Sequence, residues 1–141
     1  GTTTFGGYLA WDNVYAHDLT DVSDGNFKDV TGTPPGIDFV NRLTPVSYNW
    51  KDKVRTHWGF ISQDVRDAVS SHGFDASDIA IWTDSRMTPA DESVHPEELE
   101  EGSLPRYGLR YTELIAPLVK AVQELSTKLD AAEARIVVLE S

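Results

Sequence analysis

From Ile115 onward the apolar residues fall at Ile115, Leu118, Val122, Leu125, Leu129, Ala132, Ile136 and Leu139. The steps alternate between three and four without a fault, which places a single apolar stripe on a helix. Helices carrying such a seam wind about one another left-handedly. With Ile115 as position a, every a site is Ile, Val or Leu, and every d site is Leu or Ala. Lys128 at g precedes Glu133 at e, and Arg135 and Glu140 repeat the relation. These pairs attract across a parallel, in-register interface, each by a few tenths of a kcal/mol. Pro117 sits near the helix start, where a missing N–H is best tolerated. The other reading of the stripe is an amphipathic helix lying on its own domain. For a coil, the seam fits two strands or three, because Leu129 and Ala132 blur the dimer preference of β-branched a sites. A coil this short is marginal alone, so other parts of the domain must also join the subunits.

The remainder of the chain sets what such a helix can serve. At 141 residues it can bury one moderate core. It has no cysteine, which excludes disulfides and thiolate metal sites. A net charge of −11 argues against nucleic acid or an anionic membrane as the main partner. Gly1-Thr2-Thr3-Thr4 carries no basic region leading into an apolar run, and no apolar stretch approaches the length of a membrane span. We therefore expect neither a signal peptide nor a membrane segment.

Residues 1–22 read as the end of another fold, with an alternating, strand-like run from Asn13 to Leu19. Thr31 to Gly36 form a turn-rich connector, and Asp38 to Leu43 a short helix stopped at Thr44-Pro45. Val46 to Trp50 alternate as a strand; Lys51-Asp52-Lys53 turn into a second strand from Val54 to Ile61. Ser62 is placed to cap a helix on which Val65, Ala68 and Val69 share a face, ending at His72-Gly73. Ile79 to Trp82 read as a further strand. Residues 84–106 hold three prolines and many carboxylates with little to bury, which fits a mobile loop or an arm that folds against a partner.

Chemistry concentrates at Asp21-Val22-Ser23-Asp24-Gly25-Asn26-Phe27-Lys28, where a hydroxyl and an amine stand five residues apart. A serine attacks a carbonyl only when a base removes its proton. No Gly-x-Ser-x-Gly elbow or His/Asp triad spacing is present, and His17, His57, His72 and His95 lack metal-ligand spacing. We expect no metal and no cofactor. A free lysine has a pKa near 10.4, so only about 4 in 10,000 are neutral at pH 7, a handicap of roughly 4.6 kcal/mol. Apolar burial can remove that handicap. A Ser-Lys pair is thus nearly silent in an unassembled chain and active once enclosed. The pair alone is commonplace, and taken in isolation it reads first as a solvated turn.

The order of motifs adds to this. Ser23-Asp24-x-x-Phe27-Lys28 is followed by Leu43-Thr44-Pro45-Val46-Ser47-Tyr48-Asn49-Trp50 and then by His57-Trp58-Gly59-Phe60-Ile61-Ser62-Gln63-Asp64-Val65. Tyr111-Thr112-Glu113-Leu114-Ile115-Ala116-Pro117-Leu118 then leads into the seam. In this order they resemble the peptidase S74 family, the C-terminal intramolecular chaperones of phage endosialidases, tail spikes and tail fibres. Asn26 stands where that family commonly has Arg, and Phe27 where it commonly has an aliphatic residue.

The resemblance implies an α+β domain of short strands and helices, an extended arm at 84–106, and a parallel trimeric coiled-coil helix at 112–141. Residues 1–22 become the end of a β-helical pre-protein, and 23–141 the chaperone. It carries the nucleophile onto Ser23 and the lysine onto Lys28, with cleavage next to Ser23 and the Val22 carbonyl as the leading target. Supporting or sensing roles fall to Asp24, His57, Arg110 and Glu113, with Asp24 or nearby N–H groups orienting the amine or the oxyanion. The partners are the chain's own copies in a homotrimer and its pre-protein, with no nucleic acid or membrane. Assembly takes place in the host cytoplasm, after which the pre-protein goes to the virion tail. The alternative is a trimerisation and attachment domain that is never cut.

Overall fold

The computed structural model describes residues 15–84 and 107–141. It divides the chain into two compact units, Gly1–Thr33 and Pro34–Ser141. Among the described residues the second unit has α+β architecture: four short strands in two antiparallel pairs, two small helices and one long helix.

Helix α1 (Ile37–Val40) forms one turn ahead of Thr44-Pro45 and buries Phe39. Strands β1 (Val46–Asn49) and β2 (Thr56–Gly59) pair with Val46 opposite Gly59 and Tyr48 opposite His57. The expected turn at Lys51-Asp52-Lys53 is present, closed by the Lys53 N–H donating to the Trp50 carbonyl at 3.0 Å. Asp52 takes a left-handed conformation there (φ 62°), which a short polar side chain tolerates. The second strand is shorter than the alternation predicts, because pairing stops where β1 ends.

Helix α2 (Ser62–Ser71) buries Val65, Ala68 and Val69, the face its spacing predicts. It stops at His72, followed by Gly73 at φ +100°, a conformation glycine adopts without cost. Ser62 is not the cap: Ile61 holds that position without a side-chain hydrogen bond. The Ser62 hydroxyl instead donates to the Gly108 carbonyl at 3.0 Å, tying α2 to the last strand.

Strand β3 (Trp82–Asp84) begins three residues later than the apolar run at Ile79 predicts. Asp75 accepts from the Ser77 N–H and opens a 3-10 turn at Ala76–Asp78, which delays the extended backbone. β3 pairs with β4 (Tyr107–Leu109), Trp82 lying opposite Leu109. Strand β4 escapes alternation analysis because three residues carry too little pattern. Asp84, which the sequence places at the start of the arm, is the buried end of β3. The rest of the arm lies outside the described residues.

The core gathers Phe39, Val65, Ala68, Val69, Ala76, Ile81, Trp82 and Leu114. Truncating a side chain such as Phe39 to alanine costs about 3–5 kcal/mol in cores of this kind. A 3-10 turn (Tyr111–Leu114) leads into helix α3 (Ile115–Glu140, 26 residues). The first turns of α3 pack on α1, burying Pro117 and Ala121. Part of the helix therefore does lie on its own domain. The seam is a neighbouring stripe and stays exposed in the single chain, from Ile115 and Leu118 through Leu129 to Ile136 and Leu139.

In the first unit the strand expected at Asn13–Leu19 is corrected. Its described part, Tyr15–Leu19, is irregular. A strand requires a neighbour to take its backbone hydrogen bonds, and no ladder partner faces it among the described residues. No helix among the described residues is long and apolar enough to cross a membrane.

Candidate active site

Asp24 has extended backbone angles, and its carboxylate accepts from the Asn26 N–H at 2.9 Å. That bond opens a single 3-10 turn at Gly25–Phe27. The Phe27 N–H donates to the Asp24 carbonyl at 3.1 Å, and the Lys28 N–H to the Gly25 carbonyl at 3.3 Å. The turn reverses the chain, so two side chains five positions apart meet. Lys28 Nζ donates to Ser23 Oγ at 2.5 Å.

An ammonium that donates along this line has no lone pair to offer. Once it loses a proton, the same line carries Oγ–H toward Nζ, the geometry a general base requires. Among the described residues no carboxylate lies within 4.0 Å of Nζ, so the serine is the amine's polar partner there. The pair is exposed, and so are the apolar residues around it: Val22 at 83%, Phe27 at 82% and Val30 at 89%.

Residues 23–74 match the Peptidase_S74 family model, chaperone of endosialidase. No curated protein matches the chain. The family is the one its ordered motifs resemble. The match runs from the serine through the hairpin to the end of α2. It supports a chaperone role for this segment, and the family's name marks a peptidase-like domain.

Within the matched segment Asn26 departs from the usual Arg of the Peptidase_S74 resemblance. It contributes its backbone N–H to the turn, a contribution independent of its side chain. The other residues singled out from the sequence lie in the second unit. His57 stacks on Tyr48 across the hairpin, ring centres 5.5 Å apart and 22° from parallel, with Trp50 edge-on at 6.4 Å. Arg110 donates from Nη1 to the Ala80 carbonyl at 3.0 Å and from its backbone N–H to the Ile81 carbonyl at 2.8 Å. Glu113 is exposed in the 3-10 turn before α3, its N–H donating to the Arg110 carbonyl at 3.0 Å.

Two connections were not foreseen from the residues. The Tyr111 hydroxyl accepts from the Phe60 N–H at 3.1 Å and faces the Phe60 carbonyl at 3.4 Å. A Cβ on Gly59 would stand 2.5 Å from that hydroxyl. The glycine of the His-Trp-Gly-Phe-Ile motif therefore admits the tyrosine of the motif that begins α3. A glycine inside a strand was the available signal, since it often marks a close approach. The second connection is the Asp24 cap, whose signal was an acid two residues before a polar backbone position.

Proposed function

We propose that this chain is a self-releasing intramolecular chaperone of a phage endosialidase or related tail protein. In this reading it trimerises through α3, assists folding of the β-helical pre-protein ending at Val22, and cuts the chain between Val22 and Ser23. The observation that carries the reading is the hydrogen bond between Lys28 Nζ and Ser23 Oγ at the start of the family match. The exposed heptad seam supports the trimer.

The chemistry balances with the residues present. Neutral Lys28 takes the Oγ proton as Oγ bonds to the Val22 carbonyl carbon. The proton then passes to the Ser23 nitrogen as the Val22–Ser23 amide bond breaks, leaving an ester between Val22 and Oγ. Water hydrolyses that ester, freeing the Val22 carboxylate and restoring the serine hydroxyl. Assembly supplies the trigger: covering Val22, Phe27 and Val30 with other copies dehydrates the site and favours the neutral amine. His57 and Arg110 brace the folded domain, and the arm expected after Asp84 grips the pre-protein. Assembly belongs in the host cytoplasm, with the pre-protein going to the virion tail.

A denaturing gel and mass measurement test this on the precursor containing residues 1–141. The parent divides next to Ser23, and Ser23→Ala and Lys28→Ala stay whole. Equal cutting of all three overturns the mechanism. The exposed seam, which needs neither residue, equally supports a trimerisation domain that keeps its pre-protein attached. A parent that assembles as a trimer and remains intact decides for that second reading.

A further inference from the structure

We infer that Asp24 is a positioning residue for self-cleavage, acting through the backbone of its turn and not through its charge on Lys28. The inference rests on the Ser-Lys reading above. A carboxylate next to a nucleophile and near an amine has three available tasks: to pair with the ammonium, to relay a proton, or to shape the chain. The geometry distinguishes them. Asp24 Oδ1 is engaged by the Asn26 N–H at 2.9 Å, and among the described residues no carboxylate oxygen lies within ion-pair distance of Lys28 Nζ.

What the cap holds is the chain reversal itself. The segment has no buried side chain to fix its path, because every described residue from Tyr15 to Thr33 is exposed. Three hydrogen bonds define the turn: the side-chain cap, Phe27 to Asp24 and Lys28 to Gly25. The cap is the one that depends on a side chain. Without it the turn has alternative backbone states, and Nζ meets Oγ in only a fraction of them. Near-attack geometry is then less populated, and cutting slows in proportion.

The same logic explains how this chain accommodates Asn26. Among the described residues that position gives the cap its N–H and makes no side-chain hydrogen bond, so a change of side chain there leaves the turn intact.

The test is the cutting rate of the full precursor as a function of pH, with sedimentation confirming that each variant assembles like the parent. Asp24→Ala is expected to cut about tenfold more slowly, Asp24→Asn and Asp24→Ser within about twofold of the parent, since both retain a capping oxygen. The pH at which the rate is half-maximal stays where it is in the parent. If Asp24→Asn is as slow as Asp24→Ala, or if Asp24→Ala moves the pH profile to lower pH, the carboxylate acts by charge and the inference is wrong. Asp24→Ala cutting at the parental rate also overturns it. Ser23→Ala is the separate control: if that variant is cut, the self-cleavage reading itself fails.

Discussion

Every described side chain from Tyr15 to Thr33 is exposed, whereas the segment from Pro34 to Leu114 buries Phe39, Val65, Val69, Ile81 and Trp82 around one core. The chemically suggestive pair lies in the first region, and the packing that defines a fold lies in the second. The difference shows that a geometry can be local while its environment is not. A three-residue turn suffices to bring Lys28 to Ser23, but nothing in one described chain excludes water from them. A serine–lysine pair that remains wet in one chain fits the proposed reading, in which assembly encloses it.

The largest effect that could break this contrast is removal of the pair. Ser23→Ala is expected to lower cutting at least about 10³-fold, as loss of a nucleophile does elsewhere. Its urea unfolding curve should overlay the parent's, because Ser23 is exposed and its loss opens no cavity. A shifted midpoint would show that the two regions are energetically linked in the single chain.

Next in size is pH. A general-base amine works only when neutral, so the cutting rate of the assembled precursor should rise with pH, by at most about tenfold per unit, and level off once the amine has lost its proton. The sign follows from the base role, since the amine works only after losing its proton. A flat profile argues that no amine titrates during the rate-limiting step.

The seam sharpens the comparison from the other side. Leu125→Glu puts a carboxylate at a d site that is exposed in the single chain and enclosed in a coil. If α3 joins three copies as proposed, sedimentation should report trimer for the parent and monomer for the variant, and cutting should fall about tenfold or more, although position 125 is far along the sequence from Ser23. Unimpaired cutting by the monomer would mean that the pair needs no assembly.

How much of this was legible beforehand follows from the same division. The α3 seam, the buried face of α2 and the β1–β2 turn were readable because repeated spacing or a run of turn residues encodes them locally. The family resemblance rested on four ordered motifs, three of which lie in the matched segment from 23 to 74. The Ser23–Lys28 pairing was readable as a spacing and unreadable as a distance, which is set by the path of the turn between them. Strand β4 and the start of β3 were lost for a different reason. They are three residues each, and their partners lie more than twenty positions away. Tertiary pairing chooses such strands, and no period within them announces it. Ser62 was misjudged as a cap because its hydroxyl finds a carbonyl in that same distant strand.

The smallest effects test how the second unit holds the base of α3. Tyr111→Phe removes a hydroxyl that accepts from the Phe60 N–H, and should cost about 1 kcal/mol in urea unfolding. Gly59→Ala places a Cβ 2.5 Å from the same hydroxyl, so the ring must shift and give up that bond, at about 1–3 kcal/mol. The two changes attack one contact and should not add. With the oxygen gone, the nearest tyrosine atom to the new Cβ is Cζ at 3.4 Å, an ordinary contact. Gly59→Ala should therefore be milder in the Tyr111→Phe background than in the parent, by about 0.5 kcal/mol or more. Strict additivity would mean that the glycine is required by something other than the tyrosine. The helix that carries the seam would then be anchored elsewhere, through Pro117 and Ala121 on α1 alone.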